Sequence, residues 1–175
     1  MDRIEHVFVL GIDPGLTRCG FGVVEGSFSD VERFRAVRAG VIETDAADPV
    51  ERRLGQLFID LSALYDAVGA DAVVVERVFY QRNARTAIPV AQASGVAVAL
   101  AGARGLPVRQ FTAQQVKLAV TGYGAADKQQ VQGMVARLCG LLEVPQPADA
   151  ADALALAITY FTTERTELRQ GGITS

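Results

Sequence analysis

Two uninterrupted apolar runs, each closed by an acid, constrain this chain more than any other feature. Val7-Phe8-Val9-Leu10-Gly11-Ile12 ends on Asp13, before the Pro14-Gly15 turn, and Ala72-Val73-Val74-Val75 ends on Glu76. Runs of this length read as strands, and the second, apolar throughout, as one buried on both faces, which demands layers above and below it. Two further acids, Asp149 and Asp152, open the helical stretch Ala148–Thr163. Three residues apart, they share one helix face.

The remaining pattern fits around those strands. Gly20–Val24 follows a short turn and pairs with the first strand as an antiparallel hairpin, and Phe34–Thr44 gives a weaker third strand. Val50, Leu54, Leu57, Phe58, Leu61, Leu64, Tyr65 and Val68 recur at spacings of three and four, an amphipathic helix that Gly69 ends. Asp71–Glu76 is the fourth strand. An Ala-rich helix runs from Ala84 to Arg104, and Pro107–Phe111 is the last strand. Thr112 caps a helix through Thr121, with Val116, Ala119 and Val120 inward. After the Gly122-Tyr123-Gly124 corner, Asp127–Leu142 is a further helix, and Pro145-Gln146-Pro147 forces a turn before the last one. Gln170–Ser175 is expected to fray. The expectation is an α/β fold: a mixed five-stranded sheet, three antiparallel strands and then parallel ones, with helices on both faces. A length of 175 residues suits a single domain spanning 1–175.

Charge bears on the partner. The net −3 taken alone argues against nucleic acid, but its distribution argues for it. Between Arg77 and Leu142, Arg77, Arg82, Arg85, Arg104, Arg109, Lys117, Lys128 and Arg137 face a single acid, Asp127, a local +7. The other nine basic and nineteen acidic residues give −10. Such asymmetry is the footprint of a phosphate-backbone surface. Cys19 and Cys139 lack CxxC spacing and read as buried reduced thiols of a cytoplasmic protein. His6, the single histidine, leaves no multi-histidine metal site. The uncharged span 86–103 has the length of a membrane helix, but Pro89, Gln92, Ser94, Gly95 and Gly102 make it a core or subunit-interface helix, and no membrane partner is expected.

Each candidate residue has a plain reading beside a chemical one. Asp13 caps a turn, or it ligates a metal at a strand end; the loop also resembles the phosphate-binding hairpin of actin-like ATPases, which need a duplicated chain of about twice this length. Glu76 marks a strand leaving the core, or a second ligand. Asp149 and Asp152 complement a helix dipole, yet their small and apolar neighbours suggest a packed face where two acids need a cation or a positive partner. Together the four suit hard ions, Mg²⁺ or Mn²⁺, two of them about 3.5–4 Å apart, for in-line phosphodiester cleavage leaving a 5′-phosphate and a 3′-hydroxyl. Phe79-Tyr80, beside Gln81, Arg82, Asn83 and Arg85, belongs to the core or supplies a ring for base stacking or wedge insertion into DNA. Lys117 and Lys128 are solvated surface residues, or they stabilise charge on phosphorus.

With these residues in hand, the chain resembles the RuvC Holliday-junction resolvases, bacterial endonucleases of RNase H-like fold. The resemblance runs from about Val7 to Tyr160. It is carried by Gly11-Ile12-Asp13-Pro14-Gly15, Gly20-Phe21-Gly22, Val75-Glu76-Arg77-Val78-Phe79, Val116-Lys117, Gly122-Tyr123-Gly124, Lys128-Gln129-Gln130-Val131 and 148–154, Ala-Asp-Ala-Ala-Asp-Ala-Leu. It implies that Asp13, Glu76, Asp149 and Asp152 bind metal, that Phe79 stacks into the opened junction, and that Lys117 and Lys128 lie near the scissile phosphate. It also implies a homodimer nicking opposed strands of a four-way DNA junction in recombination and repair, working with the RuvA–RuvB branch-migration motor. The Ala-rich helix would then help form the dimer face. Gln92-Ala93-Ser94-Gly95 departs from the family's Gln-Ala-Arg-Gly, and the six residues before Val7 are additional. Another RNase H-like nuclease acting on RNA or RNA–DNA hybrids, and a non-catalytic junction-binding module, are the competing readings.

Overall fold

A computed structural model describes residues 6–29, 33–78 and 84–171, apart from the side chains of 84–86 and 169–171. Strands β1 (Val7–Asp13), β2 (Arg18–Gly26) and β3 (Arg35–Glu43) precede helix α1 (Val50–Val68). Strand β4 (Ala72–Glu76), helix α2 (Ala84–Ala103) and strand β5 (Val108–Phe111) follow, then α3 (Ala113–Thr121), α4 (Lys128–Leu138) and α5 (Ala148–Gly171). The sheet order is β3-β2-β1-β4-β5. β2 is antiparallel to both β1 and β3, while β4 is parallel to β1 and β5. This is the expected mixed sheet.

Side-chain alternation divides the core in two. Leu10, Ile12, Val23, Val73 and Val75 pack under α1 and α2, with Leu57, Leu61, Ala97 and Leu100. Val9, Val24, Ala72 and Val74 face the other way, against Leu154, Ala157, Ile158 and Phe161 of α5 and the apolar sides of α3 and α4. Helices therefore cover both faces, which is why the central strands carry no polar residue until their ends.

Local chemistry explains the element limits. α1 stops where Gly69 adopts a left-handed φ of 60°. α3 and α4 each begin with a full capping box, Thr112 with Gln115 and Asp127 with Gln130.

Four expectations need correction. α4 ends at Leu138 rather than Leu142, because Gly140 at φ 63° breaks the helical path and leaves Leu142 in solvent. α5 runs on past Thr163 to Gly171, so Gln170 and Gly171, expected to fray, are helical, and residues 172–175 lie outside the described part. Val50 and Phe58 belong to the apolar pattern of α1 but are exposed, Phe58 by 51%. The basic stretch is not one surface: Arg104 donates to Asp66 and Ser62 of α1, and Arg109 pairs with Glu164 and Glu167 of α5. Those two arginines are already engaged by acids from elsewhere in the acidic chain.

Cys19 and Cys139 are buried and free, as expected. Among the described residues no helix is long and apolar enough to cross a membrane.

Candidate active site

Strand register brings the first two acids together. β1 and β4 run parallel, with Ile12 beside Val75, so Asp13 and Glu76 are the next residues along two neighbouring strands. Val9 and Val74 both face α5, and Asp13 and Glu76, an even number of residues further on, project to that same side.

Helix α5 supplies the other two acids, and a bed of glycines lets it approach. A Cβ on Gly11 would stand 2.0 Å from the carbonyl oxygen of Ala153. On Gly22 it would meet the backbone nitrogen of Leu154 at 2.7 Å. Gly11 and Gly22 are cross-strand partners, and Gly20 is paired with Asp13 itself. The helix backbone thus rests on bare sheet, and its N-terminal end carries Asp149 and Asp152 towards Asp13.

A cleft of about 310 Å³ opens there, lined by Asp13, Glu76, Asp152, Lys117 and Lys128 over an apolar floor that includes Val116, Val131 and Leu156. Asp149 does not line it. Its carboxylate is nonetheless within electrostatic reach of Asp13. Burial, and then repulsion from Glu76, Asp152 and Asp149, pushes the Asp13 carboxyl up to about 7, with Lys128 pulling slightly the other way. Burial and Asp152 also raise Glu76. The inner pair is therefore short of positive charge.

The outer pair is not. Lys128 Nζ donates to Asp152 Oδ2 at 2.7 Å, and that hydrogen bond raises the lysine. Arg18 Nε donates to Asp149 Oδ2 at 2.9 Å, while its NH1 donates to Glu43. Neither Arg18 nor Glu43 is apparent from the sequence as a site residue, since both sit at exposed strand ends. The glycines at alternate strand positions were the visible sign that a helix backbone lies close.

Among the described residues no three acidic, cysteine or histidine side chains close on a single point, so the acids rim the cleft without enclosing a centre. Oxygen-only donors and a surplus of half-buried acidic groups fit a hard divalent cation. Phe79, Tyr80 and Arg82 lie outside the described residues, as does the side chain of Arg85.

Comparison with known proteins bears on the family and the fold. The family model "Crossover junction endodeoxyribonuclease RuvC" matches residues 9–160. The protein of that name from Leifsonia xyli is 57% identical over 155 residues, covering 87% of this chain and 72% of its own. Its counterpart from Frankia alni is 55% identical over 152 residues, covering 87% and 76%. A solved structure of T. thermophilus RuvC in complex with Holliday junction substrate superposes with a TM-score of 0.87 at 34% identity, over 93% of this chain and 97% of that one. The sheet and its flanking helices are accordingly those of the RNase H-like fold. A match extending from the first strand into the last helix makes the chain a member of the RuvC family, the crossover junction endodeoxyribonucleases.

Proposed function

We propose that this chain resolves four-way DNA junctions by paired symmetric nicks near the crossover, leaving 5′-phosphate and 3′-hydroxyl ends, with Asp13, Glu76, Asp149 and Asp152 as the metal ligands. The observation that carries this reading is the single cleft in which Asp13, Glu76 and Asp152 meet Lys117 and Lys128. Divalent-metal dependence follows from the family; Mg²⁺ or Mn²⁺, two per site, is the specific proposal.

When bound, the cations supply Lewis-acid stabilisation of charge on the phosphoryl oxygens and ease deprotonation of the attacking water. The chain's own residues do the rest. Asp13 and Glu76, one step past a shared register on rigid strands, form the fixed inner pair. Asp149 and Asp152 complete the set from α5. Lys128, lining the cleft and bonded to Asp152, stands where it can contact a phosphate oxygen and offset charge in the transition state. Lys117 contacts the neighbouring backbone phosphate. Phe79 stacks into the opened crossover, flanked by DNA contacts from Tyr80, Arg82 and Arg85; this part rests on sequence alone.

The relative with a bound Holliday junction supports the choice of substrate. We further place the protein in the cytoplasm as one nuclease domain that works as a homodimer alongside the RuvA–RuvB motor. The exposed apolar residues Phe58 and Ile59 of α1 and Ile88 of α2 support a dimer face on that side of the sheet.

The test is a gel assay on a synthetic four-way junction with Mg²⁺ or Mn²⁺. Asp13→Asn and Asp149→Asn should bind the junction and fail to cut it. Retained cutting rejects the assigned roles, and preferential cutting of an RNA–DNA hybrid by the parent protein favours the hybrid-nuclease reading instead.

A further inference from the structure

We propose that Arg18, held in place by Glu43, is a positioning residue for the Asp149 carboxylate, an inference that rests on Asp149 being a metal ligand. Arg18 opens β2 and Glu43 closes β3, and the two are cross-strand partners. The guanidinium reaches Asp149 through Nε and Glu43 through NH1, so a single planar fork joins two acids from different elements. The backbone of Asp149 is already pressed against Gly20. What remains free is the rotation of its side chain, and the Arg18 bond to Oδ2 fixes that, leaving Oδ1 for a cation.

Arg18 is not part of the cleft lining, in contrast to Lys128. It therefore acts through Asp149 rather than on the scissile phosphate. Asp152 and Asp149 thus each have a basic partner of their own through one oxygen: Lys128 inside the cleft, Arg18 outside it.

The sign of one measurement separates positioning from simple charge. A guanidinium near a ligand set repels cations, so if charge were its whole effect, removing it would tighten metal binding. Positioning predicts the opposite, because an unconstrained carboxylate must be ordered when the ion binds. Outer partners of metal ligands are typically worth about 10–100-fold in affinity.

The experiment is a calorimetric Mn²⁺ titration of the full chain without DNA, with thermal melts to check folding. Arg18→Met should weaken Mn²⁺ binding by about tenfold or more, and Arg18→Lys should recover part of the loss. Glu43→Gln should weaken binding less in the parent and add nothing in the Arg18→Met background, since it acts through the guanidinium. Unchanged or tighter binding by Arg18→Met, with Asp149→Asn still weakened, overturns the positioning role and spares the ligand assignment. Unchanged binding by Asp149→Asn overturns both. A Glu43→Gln effect that persists without Arg18 overturns the anchor.

Discussion

A Cβ on Gly20 would stand 2.3 Å from the carbonyl oxygen of Asp149 and 3.1 Å from its Cβ. That gap is too small for any side chain, and neither partner is free to retreat: Gly20 is paired with Asp13 of β1 and Val41 of β3, and α5 is packed into the core from Ala150 to Phe161. Gly20→Ala should therefore destabilise the protein by about 1–3 kcal/mol and displace the first turn of α5. Chemical denaturation and a junction-cutting assay should fall together. A stable variant that cuts normally would mean that this contact does not set the position of Asp149.

Asp13 gives a pH test. Its folded carboxyl lies at about 7, against an ordinary 3.8. Between those values the folded protein holds a proton that the unfolded chain has lost. The stability from this group is thus complete below about pH 4 and disappears as pH rises to 7. In EDTA, the stability of Asp13→Asn relative to the parent should rise by on the order of 2 kcal/mol from pH 4 to pH 8. Urea melts at the two pH values measure this, and a pH-independent difference would contradict the assignment.

Lys128 separates chemistry from stability. Its side chain is 60% exposed and its partner Asp152 is 29% exposed, so the ion pair should be worth under about 1 kcal/mol. Lys128→Gln should melt close to the parent yet cut junctions about 100-fold more slowly. Single-turnover cutting beside thermal melts gives both numbers. Full activity would leave the lysine no part in the reaction.

The basic residues should divide into two groups. Arg104 donates to Asp66, Ser62 and the Leu100 carbonyl and stacks 5.4 Å from the Tyr65 ring. Arg104→Gln should lower stability by about 1–2 kcal/mol and leave junction affinity unchanged. Lys117→Gln should do the reverse, weakening binding and reducing the salt slope by about one. Affinity measured over a salt series distinguishes them; an Arg104 variant with a reduced slope would put that face on the DNA.

Much of this protein was legible along the chain. The buried runs ending on Asp13 and Glu76, the cap at Thr112, and the stop at Gly69 are local chemistry, and each appears where the pattern puts it. The α4 overrun shows the limit of periodicity, since Leu141 and Leu142 continue the apolar rhythm that Gly140 interrupts. Phe58 shows another, because a spacing of three or four cannot tell a core contact from an exposed one. Residue types and intervals thus determined the strands, the helices and which acids were available. Only the tertiary structure decided that Asp13 and Glu76 leave the sheet on the side of α5, that Arg104 and Arg109 are already engaged, and that Arg18 reaches Asp149 across 131 residues of sequence. Local propensity acts over a few residues, whereas charge pairing and close backbone approach act through space, between segments whose separation along the chain says nothing about their distance in the fold.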